Sequence, residues 1–413
     1  MKESSEIERN KLFRFPWSKN DNPGGWIEVT DICNLKCPGC FRHTITGHRP
    51  IDELKKEIIQ LQKITNCSRI SIAGGEPLLY PDIVKVVDFI AKNKLKAIIL
   101  TNGELLTENL VKELHQAGLY QFYFHIDSNQ DRPGWKGKTE SEMNELRQQY
   151  IDLVNSCSKI KCGFLTTVTR STLHSIPDII NWFYGNSQRV IHMAFIAFRG
   201  IPIADNYEYF VNGKLVNPEI LPNKCYDLSE IDISINEMYQ IIKNHFKELS
   251  PCAYLEGTTK KESYKFLIIN SINSRRKIYG SIGFMTVFLQ QFLTRKFQSR
   301  YRDTIPNTGK EIFLLSVIDK KIRYALANYI KTILKKPKAI FEKISVQSLV
   351  LQQPYEIIDG KPNLCDGCIN MMIHNGELIN SCRLDEYRML GGTLDVRIKR
   401  KPSIYENQQN RPS

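Results

Sequence analysis

The 413-residue chain lacks any run of about 18 uncharged apolar residues, the length that a membrane-spanning helix requires. Its opening residues, MKESSEIERNKLFRF, carry scattered charges and lack the apolar core of a secretory signal peptide. Both absences predict a cytoplasmic protein without a transmembrane helix. Disulfides are rare in a reducing compartment, so the clustered members of the 11 cysteines are interpreted first as metal ligands.

Acidic residues are scarce in one segment, 275–345, which contains 16 Lys and Arg but only 4 Asp and Glu. This segment carries +12 of the formal net charge of +13, so the basicity has a local cause. Within it, GFMTVFLQQFLTRKF predicts a short apolar helix, and IRYALANYIKTILKK predicts an amphipathic helix with basic borders. The apolar face of the second helix consists of Ile322, Ala325, Leu326, Tyr329, Ile330, Ile333 and Leu334.

Two explanations of this basic segment compete. Amphipathic helices with basic borders are typical of a peripheral contact with an anionic membrane surface. A helical insertion could instead pack its apolar face on the main domain and expose its lysines to water. Nucleic acid is a less favoured partner, because the aromatic residues of the segment sit among the apolar residues rather than between the basic ones.

Short apolar runs alternate with helical patterns between residues 26 and 200. The predicted strands span 26–30, 69–77, 96–103, 121–128, 162–170 and 190–200, and the predicted helices span 51–64, 81–92, 107–117, 140–157 and 175–184. Thr107 is the expected N-cap of the third helix. Strands alternating with helices of this length predict the parallel sheet of an α/β protein. Periodicity alone does not separate a partial barrel from an open sheet.

Polar residues and glycines follow five of these strands where each strand ends. Ligands of parallel α/β folds bind at that edge of the sheet, so the pattern predicts a functional site there. The residues, taken strand by strand, are Cys33, Cys37 and Cys40, then Gly74, Gly75 and Glu76, then Thr101 and Asn102, then Asp127 and Ser128, then Thr169 and Arg170.

The first cysteine group lies in DICNLKCPGCF, residues 31–41, with the spacing Cys-x3-Cys-x2-Cys. Zinc, a disulfide and an iron–sulfur cluster are all chemically open to such a group. Zinc prefers four protein ligands in a structural site, and no fourth cysteine follows closely, although His43 and His48 are candidates. Three thiolates on a [4Fe–4S] cluster would leave one iron open to another ligand.

The motifs CNLKCPGC, GGEP and LTNG, each following a predicted strand, resemble the radical S-adenosylmethionine superfamily over roughly residues 24–200. One departure is Gly39, where many members of that family carry an aromatic residue, and Phe41 is its candidate replacement. The resemblance implies a partial (β/α)6 TIM-like barrel. It also implies a [4Fe–4S] cluster on Cys33, Cys37 and Cys40, with S-adenosylmethionine on the open iron.

The same resemblance implies the reaction. The cluster would take an electron from an external donor of the flavodoxin or ferredoxin type and cleave S-adenosylmethionine to methionine and a 5′-deoxyadenosyl radical. That radical abstracts a hydrogen atom from an unactivated C–H bond, while the protein orients the reactants and excludes water. The residues expected to contact this cofactor are Phe41, Gly74, Gly75, Glu76, Asn102, Ser128, Thr169 and Arg170.

The loop HIDSNQDRPGW, which begins at residue 125, supplies the catalytic candidates His125, Asp127 and Arg132. Strand alternation predicts that His125 and Asp127 point to the same side, toward the barrel interior. Arg132 and Trp135 could clamp an anionic or planar substrate group. The alternative is a long loop in which Trp135 packs as a lid and Arg132 forms an ion pair with Glu140 or Glu142.

A second cysteine group, Cys365, Cys368 and Cys382, has the spacing Cys-x2-Cys-x13-Cys. The sequence between its last two members predicts a hairpin that turns at Asn375-Gly376. The group resembles an abbreviated SPASM/twitch-like auxiliary region and predicts a second iron–sulfur cluster, with zinc as the alternative. Cys252, Cys225 or a substrate atom could be the fourth ligand, with His374 less favoured. The charged residues that follow could line the cavity, but a solvated or salt-bridged helix start is the favoured interpretation: Arg383, Asp385, Glu386 and Arg388.

The predicted fold class is α/β, a partial (β/α)6 TIM-like barrel with a helical insertion and a small C-terminal cysteine-rich domain. The predicted divisions are an N-terminal extension (1–23), a core barrel (24–205), a connecting region (206–274), the basic segment (275–345), an auxiliary cluster domain (346–400) and a tail (401–413). The expected substrate is hydrophobic or derived from a membrane. The rival functions are peptide maturation, tRNA modification and, outside enzymes, a zinc-stabilised binding protein.

Overall fold

The computed structural model describes residues 7–37, 40, 42, 47–275, 277–296 and 309–399. Its strands are β1 (Phe13–Arg14), β2 (Gly24–Thr30), β3 (Arg69–Gly74), β4 (Lys96–Thr101), β5 (Leu119–His125), β6 (Lys161–Val168), β7 (Val190–Ala197), β8 (Ile201–Pro202), β9 (Tyr207–Val211), β10 (Lys214–Val216), β11 (Lys224–Cys225), β12 (Ala253–Glu256), β13 (Tyr264–Ser274), β14 (Lys277–Ser281), β15 (Ser345–Gln352), β16 (Glu356–Ile358), β17 (Lys361–Asn363), β18 (Met371–His374), β19 (Glu377–Asn380) and β20 (Leu394–Ile398). Its α-helices are α1 (Ile51–Thr65), α2 (Ile83–Lys92), α3 (Glu108–Gln116), α4 (Met143–Cys157), α5 (Ile176–Gly185), α6 (Ile235–His245), α7 (Phe284–Lys296), α8 (Lys320–Lys335) and α9 (Leu384–Leu390).

The strands β2 to β7 pair in chain order and in parallel, with α1 to α5 in the connections. This arrangement confirms the predicted α/β class, with six parallel strands and five helices between them. Each helix buries an apolar stripe against the sheet. In α1 the stripe is Leu54, Ile58 and Leu61, spaced for one helical face. Thr107 caps α3 by accepting a hydrogen bond from the amide of Leu110 at 3.3 Å.

The large sheet continues beyond β7, which the sequence analysis did not foresee. β15 pairs in parallel with β7, and β13 and β12 follow in antiparallel pairing, so the sheet runs β1-β12-β13-β15-β7-β6-β5-β4-β3-β2. The region predicted as a connection, 206–274, therefore contributes two strands to this sheet. Their partners lie far away in sequence, since β12 pairs with β1 through Ala253 and Phe13, and local periodicity carries no signal for such pairing.

The basic segment both packs on the sheet and exposes apolar side chains. In α8, Ile322, Ala325 and Tyr329 are buried, but Ile330 and Leu334 from the same predicted face are exposed. α7 buries Val287 and exposes its phenylalanines. Among the residues that the structure describes, no helix has the length and hydropathy needed to cross a bilayer.

The C-terminal hairpin forms where the sequence placed it. β18 and β19 pair in antiparallel register, and their turn residues Asn375 and Gly376 have φ values of 49° and 83°. Positive φ at both positions is the requirement of a type I′ turn, for which Asn-Gly is the preferred pair. Nearby, β20 joins β9 and β10 in a separate three-stranded sheet.

Candidate functional site

One large cavity, of about 1120 Å³, lies inside the curved sheet and reaches the carboxyl ends of the parallel strands. The structure brings most of the predicted site residues to its wall. These are Cys33, Cys37, Cys40, Gly74, Gly75, Glu76, Asn102, His125, Asp127, Ser128, Thr169, Cys365, Cys368 and Cys382. Phe41, Gly39 and His43 lie outside the described residues. The roles predicted for these three residues therefore stay predictions.

The first cysteine group lies in the loop that leaves β2. Cys33 accepts a hydrogen bond from the amide of Leu35 at 3.4 Å, and the amide of Cys40 donates to the carbonyl of Cys37 at 3.1 Å. Burial raises the pKa of Cys37 to about 12, and the nearby Cys40, Asp127 and Cys33 act in the same direction. Crowded thiols of this kind ionise readily only when a cation is shared among them. The three free thiols therefore fit an iron–sulfur cluster by their chemistry.

Gly74 and Gly75 let the end of β3 come very close to the end of β2. Gly74 has φ of 131°, and a Cβ atom there would lie 1.9 Å from the carbonyl oxygen of Thr30. A Cβ atom on Gly75 would lie 2.3 Å from the carbonyl oxygen of Ile32. The sequence predicts that these glycines contact the cofactor. The structure shows that they also position the start of the cysteine loop.

Glu76 is buried, and its carboxylate accepts three hydrogen bonds. One carboxylate oxygen accepts from the Leu78 amide at 2.9 Å and the Thr101 hydroxyl at 2.6 Å, and the other accepts from the Asn102 amide at 2.7 Å. Burial raises the pKa of Glu76 despite these donors. A carboxylate offers about four acceptor positions, so one remains for a ligand ammonium.

Asn102 links the end of β4 to the cysteine loop. Its side-chain amide donates to Asn34 Oδ1 at 2.8 Å and lies 3.9 Å from Cys33 Sγ. An amide hydrogen near a sulfur stabilises the thiolate form, which is the form that binds iron. Asn102 is therefore placed to orient Cys33 as well as to contact a ligand.

His125 and Asp127 point to the same side, as strand alternation predicts. His125 Nε2 lies 3.2 Å from Asp127 Oδ2 and 3.0 Å from Thr167 Oγ1. Burial acts to raise the pKa of Asp127, but hydrogen bonds from His125, Thr167 and Asn129 outweigh it and lower that pKa. The side chain of Asp127 is buried, whereas that of His125 is 38% exposed at the cavity. The pair can hold a proton beside a bound substrate.

Two predicted site residues do not reach the cavity wall. Arg132 is fully buried behind it and donates to the carbonyls of Asn102 at 2.7 Å and His125 at 2.6 Å. It pairs with Glu104 at 2.9 Å, not with Glu140 or Glu142 as the alternative reading had it. With its guanidinium committed to these acceptors, Arg132 connects the strand ends behind the cavity wall.

Arg170 is the second predicted site residue that does not line the cavity. It forms an ion pair with Glu237 and donates to the carbonyl of Asp232, which connects the end of β6 to α6.

Ser128 does line the cavity, and its amide donates to Glu140 at 2.7 Å. Glu140 in turn forms a buried ion pair with Arg147. No local sequence pattern marks this pair, because its partners meet only in the folded loop.

The second cysteine group lies against the same cavity. Cys365 bridges to Gly257 next to β12, and Cys382 follows the hairpin of β18 and β19. Burial raises the pKa of Cys382 to about 11. The other proposed thiol ligands lie elsewhere: Cys252 Sγ contacts the carbonyl of Ile268 at 3.3 Å, and Cys225 Sγ contacts that of Asp227 at 3.1 Å. A fourth ligand would therefore approach from the cavity.

The charged residues after Cys382 form salt bridges. Arg383 donates to Glu386 from two nitrogens, and both side chains are buried. Arg388 lies 3.6 Å from Glu28 on β2. Sequence reasoning missed Arg42, which pairs with the same Glu28 and donates to the carbonyl of Ser381 at 3.1 Å. Arg42 thus connects the loop of the first cysteine group to the second group.

Within the described part of the chain, no three His, Cys, Asp or Glu side chains converge closely enough to hold one metal ion. A zinc ion with bonds of about 2.3 Å would draw its thiolates to within roughly 4 Å of each other. A four-iron cluster spreads its three thiolates over separate irons. Each group supplies three thiolates, which match a cluster with one open iron, whereas a structural zinc site prefers four protein ligands.

Comparisons with known proteins agree with this geometry. The family model "Radical SAM superfamily" matches residues 27–183. A GTP 3′,8-cyclase from Clostridium botulinum is 31% identical over 232 residues, which cover 54% of this chain and 69% of that protein. A probable GTP 3′,8-cyclase from Methanocaldococcus jannaschii is 29% identical over 163 residues, covering 38% of this chain and 53% of that protein.

Solved structures are similar at lower identity. The crystal structure of Streptococcus suis SuiB bound to S-adenosylmethionine is 17% identical, with a TM-score of 0.39, and the match covers 55% of this chain and 48% of that chain. The match with the Methanocaldococcus jannaschii relative extends over only about half of that protein's length.

Proposed function

This chain belongs to the radical S-adenosylmethionine superfamily, and from that premise we propose that it abstracts a hydrogen atom from an unactivated C–H bond of a hydrophobic substrate. Membership implies a [4Fe–4S] cluster, S-adenosylmethionine and an external electron donor. We assign the cluster to Cys33, Cys37 and Cys40. When bound there, the cluster supplies the electron that splits the sulfonium of S-adenosylmethionine and produces the radical that takes the hydrogen atom.

The protein's own residues would hold the reactants in place. Gly74 and Gly75 shape the edge on which S-adenosylmethionine lies, and Glu76 offers its remaining acceptor position to the methionine ammonium. Asn102, Ser128 and Thr169 line the same edge and can bind ribose hydroxyls or the carboxylate. His125 and Asp127 line the same cavity and would hold a proton beside the substrate.

A row of apolar side chains beside His125 is the observation that supports a hydrophobic substrate. Strand register places His125 level with Leu165, then Ala194, then Val350, then Ile268 across β5, β6, β7, β15 and β13. All five side chains line the cavity, and four of them are apolar. A wall of this composition favours a substrate whose reacting region is a hydrocarbon.

The distribution of exposed apolar side chains supports a membrane as the source of such a substrate. Of the 19 large hydrophobic side chains exposed in the described residues, 12 belong to segment 275–345, which also carries the excess of positive charge. Phe284, Phe288 and Phe292 form a stacked ladder along α7, and the first two rings also contact Phe13 edge-on. The adjoining face of α7 contributes Val287 and Gln291 to the cavity. We propose that α7 and α8 contact an anionic bilayer peripherally.

We further propose that Cys365, Cys368 and Cys382 hold a second iron–sulfur cluster. These residues line the cavity wall, so a cluster held there would lie beside the substrate. The rival functions are peptide maturation and tRNA modification, in which the same cavity would receive a peptide or a nucleoside.

Anaerobic reconstitution tests the core of the proposal. The protein should bind iron and sulfide and release 5′-deoxyadenosine when reduced with S-adenosylmethionine, and replacing Cys33, Cys37 and Cys40 by Ala should abolish that product. Cys157→Ala is the matched control, because this half-buried thiol on α4 bonds only to carbonyls of its own helix. Stoichiometric zinc without iron would instead identify a zinc-stabilised binding protein.

A further inference from the structure

The barrel interior contains a polar layer below the apolar row of Leu165, Ala194, Val350 and Ile268. Strand register places Tyr123 level with Gly163, then His192, then Ser348, then Asn270, on the same five strands. These side chains lie two residues nearer the amino ends of β5 and β7 than the apolar row. Barrel interiors are usually filled by branched apolar side chains at such positions, so the polar layer requires an explanation.

Several polar groups of this layer have no hydrogen-bond partner among the described residues, although Gln121 lies close enough to Tyr123 to oppose the rise that burial causes in the pKa of its hydroxyl. In the described parts of the chain, no hydrogen bond or ion pair engages the guanidinium of Arg69 or the side chains of His192, Asn270 and Ser348, all of which line the cavity. Gln121 is 3% exposed, lines the same cavity, and its Nε2 likewise lacks a hydrogen-bond partner among the described residues. Buried polar groups are nearly always paired, because an unpaired one costs free energy.

The charge of the layer is positive. Arg69, at the start of β3, is close enough to His192 and Tyr123 to affect the pKa of both. Burial and the charge of Arg69 lower the pKa of His192 to about 3, so its imidazole is neutral at physiological pH and offers one N–H donor. The guanidinium presents up to five N–H donors in a planar fork that suits phosphate and carboxylate oxygens.

We propose that this layer, defined by Arg69, Gln121, Tyr123, His192, Asn270 and Ser348, is a binding site for a phosphate or carboxylate group of the substrate. The oxyanion accepts hydrogen bonds from Arg69, from the free amide of Gln121 and from its neighbours. The apolar row then surrounds the adjoining hydrocarbon, and His125 marks the level at which the C–H bond meets the cofactor. The substrate is accordingly an acidic amphiphile, an inference that rests on the proposed function of the same cavity.

The absence of a side chain at Gly163 leaves room for Tyr123 and Gln121 in this layer. A Cβ atom at this position would lie 2.6 Å from the ring of Tyr123 and 2.9 Å from Gln121 Nε2. Any larger residue on β6 would force both side chains across the space that the anion needs. The glycine therefore preserves the width of the site at the level where its donors converge.

The experiment measures binding of inorganic phosphate and of succinate to the anaerobically reconstituted protein by isothermal titration calorimetry. We expect millimolar binding of at least one of the two, weakened tenfold or more by Arg69→Gln. Gln121→Glu is the second variant, since it keeps the size of the side chain and places a negative charge where the anion binds. Arg189→Gln is the matched control, because Arg189 pairs with Asp152 on the outer surface and should leave binding unchanged.

The two ligands distinguish the source of the oxyanion. Phosphate binding identifies a phosphorylated substrate, and succinate binding alone identifies a carboxylic acid. The inference is overturned if the wild-type protein binds neither anion at 50 mM, or if Arg69→Gln and Gln121→Glu bind as the wild type does. Reductive release of 5′-deoxyadenosine without substrate is measured on the wild-type protein in parallel. Its loss from the wild type would contradict the proposed function, whereas its persistence without anion binding would contradict this inference alone.

Discussion

A carboxylate oxygen of Glu76 lies 2.7 Å from the backbone nitrogen of Asn102, so the end of β3 is fastened to the end of β4. The same carboxylate accepts from the Thr101 hydroxyl and the Leu78 amide. Glu76 therefore maintains the edge on which Gly74, Gly75 and Asn102 converge. Its free acceptor position makes it a candidate ligand contact as well. The two roles predict different results on mutation.

Glu76→Gln should lower both stability and affinity for S-adenosylmethionine. An amide nitrogen in place of one oxygen cannot accept from Asn102 or Thr101, and an unsatisfied buried donor costs about 1–3 kcal/mol. Thermal unfolding and equilibrium dialysis with the cofactor under anaerobic conditions measure the two effects separately. Glu108→Gln is the control, because that carboxylate is exposed on α3 and pairs only with Lys112. A fall in stability with unchanged cofactor affinity would leave Glu76 a purely structural role.

His192 should make the protein less stable in mild acid. Its pKa is lowered to about 3 by burial and by Arg69, whereas an unfolded histidine has a pKa of about 6.5. The unfolded state thus binds the extra proton first, so stability is complete above about pH 6.5 and falls as the pH decreases below it. Between pH 7.5 and pH 5.5 the loss should approach about 1.4 kcal/mol from this residue.

His192→Gln should remove that contribution, so the unfolding midpoint of the variant should fall less between pH 7.5 and pH 5.5 than that of the wild type. His245→Gln should behave as the wild type, because His245 is exposed at the end of α6. Equal slopes for the wild type and His192→Gln would show that His192 is protonated in the folded protein, or that it is solvated in the cavity.

The sequence was sufficient to predict the features that depend on local pattern. The strand–helix alternation, the N-cap at Thr107 and the turn at Asn375-Gly376 are confirmed because each depends on neighbouring residues. The family followed from short motifs at strand ends. The pairing of β13 with β15 was not predictable, because register between distant strands is set by the whole packed interior.

The partners of buried charges were the least predictable part of the site. Arg132 pairs with Glu104 and Glu140 pairs with Arg147, although sequence proximity favoured Arg132 with Glu140. The polar layer around His192 was also missed, since Arg69, Gln121 and Asn270 become neighbours only when β3, β5 and β13 surround one cavity. Single polar residues inside otherwise ordinary strand patterns carry no local sign of this convergence.

The second cysteine group should carry its own cluster. Replacing Cys365, Cys368 and Cys382 by Ala should lower bound iron from about eight to about four atoms per chain. Release of 5′-deoxyadenosine should persist, because the first group lies on a separate loop. Iron analysis and product quantification test both statements. Cys225→Ala and Cys252→Ala should retain the full iron content, since each thiol contacts a backbone carbonyl away from the group. One zinc per chain, removed by the triple substitution, would identify the group as a zinc site.

The aromatic ladder on α7 should mediate attachment to anionic membranes. Phe288 and Phe292 are 45% and 49% exposed, and burying each ring in the bilayer interface should contribute about 1–2 kcal/mol. Phe288→Ser combined with Phe292→Ser should therefore weaken flotation with vesicles of phosphatidylcholine and phosphatidylglycerol by about 30-fold or more. The basic residues of the same segment predict weaker binding to vesicles of phosphatidylcholine alone, and a further loss in high salt.

Leu215→Ser combined with Ile220→Ser is the matched control for that experiment. Both side chains are exposed apolar groups, at 66% and 51%, but they lie outside the basic segment. If general stickiness caused the flotation, this control and the ladder variant would lose binding equally. If the ladder inserts into the bilayer, only its own variant loses binding. Retained flotation of the ladder variant would show that α7 does not enter the membrane and that the substrate reaches the cavity by another route.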